Sequence, residues 1–156
     1  MVASVNFLNK ICAEAERCID YKATFLDLKK LGGTQSVTPS EGLAAQTVKT
    51  SQNLAVDCII VQTENGMLPR YVAKYRPSVP ILACSENLMV LKQLALARGV
   101  VTFAIPTDSA DSLIEQALRH AKEANLVKQG RKVLYLHGMM DDRVDEFAMK
   151  EIIDVE

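Results

Sequence analysis

The sequence has few aromatic residues and no tryptophan. Aromatic residues make up 5% of the 156 residues, whereas hydrophobic residues make up 49%. The core must therefore be built from Ile, Leu, Val, Ala and Met, a composition that is typical of helices packed on a parallel sheet. At this length we expect one domain, with enough volume for a genuine core.

The sequence also lacks an excess of charge and a long apolar run. Lys and Arg number 18 and Asp and Glu number 19, which gives a formal net charge of -1. Neither a nucleic acid nor a membrane surface is therefore an expected partner. No stretch approaches the ~18 apolar residues of a membrane span, and the opening lacks the basic and apolar blocks of a signal peptide. We predict a soluble, cytoplasmic protein.

The four cysteines, Cys12, Cys18, Cys58 and Cys84, form no C-x-x-C pair. Three of them lie inside apolar or helical patterns, where a cysteine is usually a buried and reduced thiol. This usage is typical of a reducing intracellular compartment.

The first part of the chain has a helical pattern. Apolar residues recur at three- and four-residue steps from Val5 to Ile19, which predicts an amphipathic helix. This helix has no N-cap signal, so we expect the chain to begin inside an element, as a fragment would. A second, short helix is predicted in the segment that starts at Tyr21, and a connector follows at Gly32 and Gly33.

A capping box follows the connector. Thr38 is the predicted N-cap, Pro39 occupies the first helical position, and Glu41 stands three residues after the cap. This start predicts a helix over residues 40–53.

Beyond that helix, short β-branched runs alternate with helical patterns. The predicted strands are residues 58–61, 80–84, 100–105 and 133–136, and the predicted helices are residues 68–75, 86–97 and 109–124. Such alternation predicts a parallel sheet with helices on both faces. Residues 149–156 follow a turn instead of a helix, which favours an antiparallel last strand. The predicted fold is an α/β three-layer sandwich with a mostly parallel, five-stranded sheet.

The strand-exit loops are where a parallel α/β sheet places its ligands. The first exit, "QTENG", is neither G-x-G-x-x-G nor a P-loop, and its strand ends in Thr63 where a two-component receiver needs an aspartate. His120 and His137 lack neighbours with metal-ligand spacing. Cys84 and Ser85 have no base nearby in the sequence, and G-x-S-x-G is absent. The sequence predicts no catalytic residue and no metal site.

Three segments resemble the C-terminal domain of pyruvate kinase: "IIVQTENGMLPRYVAKYRPSVPILACS", "LARGVVTFAIP" and "KQGRKVLYLHGMM". The family pattern is an apolar strand, a Thr, a Ser-Gly-like turn, a helix ending in Lys/Arg-Tyr-Arg-Pro and a Pro-Ile-x-Ala strand. In this chain it corresponds to residues 59–61, Thr63, Asn65-Gly66, residues 74–77 and residues 80–83. Arg-Gly-Val at 98–100 and Gly-Arg-x-Val at 130–133 follow in the family's order.

The opening segment "ICAEAERCIDY" resembles the last helix of that family's catalytic barrel. The resemblance therefore implies that residues 1–33 are this barrel helix plus a connector helix, and that residues 34–156 are the C-terminal α/β domain. The His137-Gly138 pair and the acidic residues after it are most similar to pyruvate kinases of unicellular parasites.

The resemblance implies a regulatory and oligomerisation domain of a glycolytic enzyme that transfers phosphate from phosphoenolpyruvate to ADP. In that family the catalytic residues and the Mg²⁺ and K⁺ sites lie on the barrel, so this chain is expected to hold no cofactor and to be inactive alone. The implied partners are the rest of a pyruvate kinase chain and further copies in a homotetramer. The alternatives are a free-standing, flavodoxin-like ligand-binding protein or enzyme, and a pure interaction module.

Many members of the family bind a sugar bisphosphate in this domain. The resemblance places the effector positions at Thr63, Glu64, Asn65, Gly66, Met67, Leu68, His137, Gly138 and Met139. Thr63 and Gly66 keep the family's residue types, whereas Glu64 and Met67 replace cationic or hydroxyl groups, and Met139 stands where Trp is expected. Four further carboxylates follow in "MDDRVDE".

Electrostatics argues against a sugar bisphosphate at these positions. One like-charge pair at ~4 Å and an effective dielectric constant of ~20 costs on the order of 4 kcal/mol, more than the ~1.5 to 3 kcal/mol returned by a charge-assisted hydrogen bond. A phosphorylated effector stays open as a partner, and a sugar bisphosphate is disfavoured. In the simpler alternative, "TENG" is a helix-initiating turn in which Thr63 and Asn65 satisfy backbone groups.

Overall fold

The computed structural model describes residues 2–31, 38–106, 112–138 and 148–155. The helices within these ranges are α1 (Val2–Glu16), α2 (Tyr21–Leu31), α3 (Pro39–Leu54), α4 (Met67–Lys74), α5 (Leu88–Leu94) and α6 (Leu113–Glu123). The strands are β1 (Cys58–Gln62), β2 (Ile81–Ser85), β3 (Val100–Ala104), β4 (Lys132–Gly138) and β5 (Ala148–Asp154). In this part of the chain no helix is long and apolar enough to cross a membrane.

The five strands form one sheet in the order β3-β2-β1-β4-β5. The three pairs between β1, β2, β3 and β4 are parallel, and β5 pairs with β4 in the antiparallel direction. The prediction of a mostly parallel, five-stranded sheet with an antiparallel last strand is therefore confirmed. The strand order reverses between β1 and β4, which makes their carboxyl ends the topological switch point, where folds of this kind usually bind ligands.

Two hydrophobic clusters lie on opposite faces of the sheet. Ile59 and Val61 of β1 pack in a cluster with residues of α3 and α4. The alternate residues Cys58 and Ile60 pack in a cluster with residues of α6. Successive side chains of a strand point to opposite faces, and helices cover both faces here. Both faces of β1 are therefore buried, which explains the unbroken apolar runs of the sequence.

Capping residues set helix starts that differ from the predicted ones. Asn87 caps α5 with its side chain and Ser112 caps α6 in a capping box with Glu115. The predicted start of α5 at Glu86 is therefore two residues early. An N-cap residue still has a non-helical backbone, so the helix begins at Leu88, the residue after Asn87. Residues 109–111, predicted as the start of α6, lie outside the described residues.

The four cysteines are free thiols. Cys58 and Cys84 are buried in the sheet, and burial raises the pKa of each thiol to about 12. Cys12 and Cys18 are exposed, so the prediction of three buried cysteines is wrong. The reason is that α1, whose pattern suggested a buried face, is exposed along its described length.

Arg98 connects the end of α1 and the start of α2 to the sheet. Its Nε donates to Oε1 of Glu16 at 2.9 Å and its terminal nitrogen donates to Oη of Tyr21 at 3.2 Å. The guanidinium carbon also lies 5.8 Å from the centre of the Tyr21 ring. Because Arg98 stands two residues before the start of β3, these contacts place the helices beside the amino ends of the parallel strands.

The Lys74-Tyr75 pair at the end of α4 bonds to the first turn of α3. Oε1 of Glu41 accepts a hydrogen bond from Nζ of Lys74 and another from Oη of Tyr75, the latter at 3.2 Å. The bond from Lys74 lowers the pKa of the Glu41 carboxyl against the opposing effect of desolvation. The Tyr75 ring also packs on Phe25 of α2, with ring centres 5.8 Å apart. The segment after α4 therefore holds α2, α3 and α4 together.

We expect the contribution of Glu41 to stability to depend on pH. Because its folded-state pKa is lowered, the stabilisation is fully present above the ordinary carboxyl pKa of 4.5 and is lost as the pH falls through the folded-state value. Glu41→Gln should lower the free energy of unfolding by about 1 kcal/mol at pH 7, and this deficit should shrink below pH ~4. Urea unfolding at several pH values measures both, with the exposed Glu123→Gln as control. An equal deficit at all pH values would contradict the ion-pair explanation.

Candidate functional site

The turn after β1 satisfies the first backbone donors of α4 with its own side chains. Oγ1 of Thr63 accepts from the N–H of Gly66 at 3.0 Å, and Oδ1 of Asn65 accepts from the N–H of Met67 at 2.8 Å. The N–H of Thr63 continues the sheet by donating to the carbonyl of Cys84 at 3.0 Å. Pro69, at the third helical position, has no N–H to offer. The turn thus uses several of the groups that a phosphate would need.

Gly66 brings the start of α4 against α5. Its φ of 80° lies in the left-handed region, which favours glycine. A Cβ at this position would lie 2.9 Å from Cγ1 of Val90 and 3.6 Å from Cγ of Leu94. The residue is needed both for the backbone conformation and for the close approach of the two helices.

The remaining positions of the turn differ in exposure. Leu68 is fully buried and belongs to the core cluster beneath α3 and α4, so it offers no group to a ligand. Glu64 and Asn65 are exposed, and Met67 is 43% exposed. The outer surface of the turn therefore presents a carboxylate, an amide and a thioether.

The other side of the switch point is formed by the end of β4. Oη of Tyr135 donates to Oε1 of Gln62 on β1 at 2.8 Å, and the rings of Tyr135 and His137 stack with centres 5.1 Å apart. Gly138 pairs with Ala148 of β5. On this face the polar groups of β1 and β4 bind each other. Met139 and the acidic residues 141–146 lie outside the described residues.

The exit of β2 repeats the construction of the first exit. Oγ of Ser85 accepts from the N–H of Asn87 at 3.1 Å, and Oδ1 of Asn87 accepts from the N–H of Met89 at 3.0 Å. Glu86 between them is exposed. A three-residue pattern, namely a hydroxyl-bearing residue followed by Glu and Asn, therefore occurs at two neighbouring strand exits. The repetition of T-E-N and S-E-N is visible in the sequence.

Each exit turn carries a carboxylate, and a cationic residue follows in the helix after it. Residues 62–69 and 84–91 contain Glu64 and Glu86 but no Lys, Arg or His, and Arg70 and Lys92 come directly after them. Arg70, one turn into α4, donates to Oε1 of Gln93 on α5 at 3.1 Å.

Metal ligands are not assembled here. Across residues 2–31, 38–106, 112–138 and 148–155, no group of three or more His, Cys, Asp or Glu side chains is placed to hold a metal ion. His120 stacks on Phe103, with ring centres 4.3 Å apart, in keeping with a structural role.

The strand order, the reversal between β1 and β4, and the helix-start turn at that reversal define a doubly wound α/β domain of the class that binds small ligands at its strand exits. The sequence profile described as "Pyruvate kinase, alpha/beta domain" matches residues 41–152. The chain belongs to this pyruvate kinase family.

Relatives from several lineages give the same result. The chain is 36% identical over 156 residues to a pyruvate kinase of Eimeria tenella, covering 99% of this chain and 29% of that protein. It is 31% identical to a pyruvate kinase of Glycine max named a cytosolic isozyme, covering 86% of this chain and 30% of that protein. The crystal structure of a Cryptosporidium parvum pyruvate kinase matches with a TM-score of 0.87 at 30% identity, covering 98% of this chain and 30% of that one. The chain thus spans less than a third of the length of these relatives.

Proposed function

We propose that this chain serves as the regulatory and assembly domain of a pyruvate kinase and that its strand-exit turn does not bind a sugar bisphosphate. The observation that carries the proposal is the pair of hydrogen bonds from Gly66 to Thr63 and from Met67 to Asn65. These bonds occupy backbone donors at the start of α4, where a phosphate would otherwise bind.

The energetic balance supports the same conclusion. A phosphate that took over these donors would break two hydrogen bonds, each of which contributes about 1 kcal/mol. It would also approach the exposed carboxylate of Glu64, a repulsion that the turn does not offset with a cation of its own. The net gain from binding is therefore small or negative.

The first helix supports a place for this domain inside a larger enzyme. Val5, Phe7, Leu8 and Ile11 are exposed on α1, and a contiguous apolar surface of this kind is usually covered by a partner. Residues 1–33 are proposed to be the last barrel helix with its connector, and residues 34–156 the α/β domain. The cover is then the rest of the pyruvate kinase chain.

The wider assignment rests on the family. The complete enzyme is proposed to be a cytoplasmic homotetramer that transfers phosphate from phosphoenolpyruvate to ADP, with Mg²⁺ and K⁺ bound by the barrel. The chain described here contributes no reacting group to that step, so it should be inactive alone.

Calorimetric titration tests the proposal about the turn. With fructose 1,6-bisphosphate, we expect binding by the wild-type chain to be weaker than a dissociation constant of about 1 mM, which corresponds to a favourable binding free energy of less than about 4 kcal/mol. Glu64→Lys combined with Met67→Ser should improve the affinity by roughly ten-fold or more, since it exchanges a repulsion for a charge-assisted hydrogen bond.

A matched control places the same charge change elsewhere. Glu123→Lys at the exposed end of α6 alters the net charge as Glu64→Lys does but leaves the turn intact, so it should not improve binding. Micromolar affinity in the wild-type chain would overturn the proposal.

A further inference from the structure

The backbone on both sides of Arg98 is bonded to the α/β core. The carbonyl of Gly99, the next residue, accepts from the N–H of Ile81 on β2 at 2.9 Å. The N–H of Ala97, the preceding residue, donates to the carbonyl of Leu94 at the end of α5, also at 2.9 Å. A side chain that starts from such a fixed position can hold another segment in place.

The side chain of Arg98 reaches the junction between α1 and α2. Glu16, which accepts from its Nε, is the last residue of α1, and Tyr21, whose Oη accepts from its terminal nitrogen, is the first residue of α2. The distance of 5.8 Å from the guanidinium carbon to the centre of the Tyr21 ring lies within the ~6 Å of a cation–π contact. We call these three residues the Arg98 clamp.

The clamp is less exposed than an ordinary surface ion pair. The side chains of Arg98 and Glu16 are 28% and 47% exposed, whereas those of the neighbouring pair Arg17 and Glu14 are 77% and 69% exposed. An exposed pair alone restrains little, but the planar guanidinium of Arg98 bonds two partners at once and stacks on one of them. The clamp is therefore firm enough to orient a helix and weak enough to open without unfolding the sheet.

The two helices at this junction are attached to the core in different ways. In α2, Phe25 is buried and packs on Tyr75, and the carbonyl of Tyr21 accepts from Nε2 of Gln52 on α3 at 3.2 Å. In α1, residues 3–16 are all exposed, so this stretch has no buried face against the sheet. The orientation of α1 therefore depends on the bonds at its carboxyl end.

We propose that the Arg98 clamp is a conformational device that sets the angle at which α1 leaves the α/β domain. With the clamp closed, α1 points in one direction. With the bond to Glu16 broken, α1 swings about residues 17–20 while α2 stays docked. The first turn of α1 lies about 18 Å from Glu16, so a swing of roughly 25° moves it by about 8 Å.

The proposal deepens the proposed function and rests on it for the identity of the attached part. In that function α1 is the helix that joins the α/β domain to the barrel. The clamp then sets how the α/β domain and the barrel are oriented.

Distance measurements by electron paramagnetic resonance on the full chain test the clamp. One spin label is attached at Ser4→Cys in the first turn of α1 and the other at Glu123→Cys at the exposed end of α6. The exposed cysteines are removed by Cys12→Ser and Cys18→Ser, and the two sheet cysteines are buried away from the reagent. We expect one narrow distribution of distances between the labels.

Breaking the clamp should broaden this distribution. Arg98→Met keeps the length of the side chain but removes its bonds, so the width should increase roughly two-fold or more as the first turn of α1 swings. Glu16→Leu should have the same effect, and it carries the test if Arg98→Met does not fold. The exchange of charges in Arg98→Glu with Glu16→Arg should recover about half of the lost narrowness, because it rebuilds the ion pair but not the contacts with Tyr21.

Two controls separate the clamp from general loosening of the chain. Arg17→Met removes the adjacent cation, which pairs within the α1 region, and should leave the distribution unchanged. A label at Leu26→Cys on α2, used in place of the label at residue 4, should give the same narrow distribution in every variant, because α2 keeps its own contacts with the core.

Four results would each overturn the proposal: a wild-type distribution as broad as that of Arg98→Met, equal broadening with Arg17→Met, broadening at the Leu26 label, or no narrowing on charge exchange. None of these measurements involves a ligand of the turn after β1. Their failure is therefore distinct from a failure of the calorimetric test of the proposed function.

Discussion

Gly66→Ala should lower the free energy of unfolding by about 3 kcal/mol. Two effects add at this position: an alanine at positive φ costs about 1 to 2 kcal/mol, and overpacking of a filled contact costs about 1 to 3 kcal/mol. The first arises from the φ of 80°, and the second from the 2.9 Å between the added Cβ and Cγ1 of Val90. Urea unfolding followed by far-UV circular dichroism measures the change.

Two other glycines separate these effects. Gly99 has a φ of 73° but open space around an added Cβ, so Gly99→Ala should cost only about 1 to 2 kcal/mol. Gly42 lies within α3 and also has open space, so Gly42→Ala should raise stability by about 0.5 to 1 kcal/mol. If Gly66→Ala costs no more stability than Gly99→Ala, the close contact between α4 and α5 adds nothing to the cost of a side chain at residue 66.

Leu134→Ala should lower the free energy of unfolding by about 3 kcal/mol, within the range of about 2 to 5 kcal/mol for buried leucines. Leu134 is fully buried, and on β4 it pairs with Ile59 of β1 and Ile152 of β5. Truncation of the Leu134 side chain leaves a cavity between β4 and α3. The cavity cannot close, because β1 and β5 hold β4 in place on both sides.

Leu96→Ala is the matched control for this cavity. Leu96 is 91% exposed after α5, so its truncation should change stability by no more than about 0.5 kcal/mol. The dependence of the unfolding free energy on urea should be the same for both variants, since neither alters the surface exposed on unfolding. A loss below about 1 kcal/mol for Leu134→Ala would contradict its place in the core.

The sheet was predictable because its strands are buried on both faces. Runs such as residues 58–61 and 80–84 contain no polar residue, and such runs are typical of a parallel sheet between two helix layers. The capping box at Thr38 was equally visible, and the structure shows the N–H of Glu41 donating to Oγ1 of Thr38 at 3.2 Å. These signals are local, so a single sequence is sufficient to predict them.

Other features depend on contacts that are distant in sequence. The start of α5 was predicted too early because Glu86 is typical of a first helical turn, whereas Asn87 provides the cap. The exposure of Cys12 could not be inferred from the pattern of α1, since a helical period does not reveal whether a partner covers the apolar side. The close approach of Gly66 to Val90 is a contact between two helices, so the sequence of neither segment alone could predict it.

The candidate site was only partly predictable. Two readings of the first exit were open, and the bonds of Thr63 and Asn65 correspond to the simpler helix-initiating turn. Leu68 was included because the family uses its position, but its side chain belongs to the core.

Arg98, which stands before β3, and the turns after β1 and β2 lie at opposite edges of the sheet, one strand length or about 17 Å apart. The guanidinium of Arg98, with its contacts to Glu16 and Tyr21, therefore joins the first two helices to the edge of the sheet that is remote from these turns.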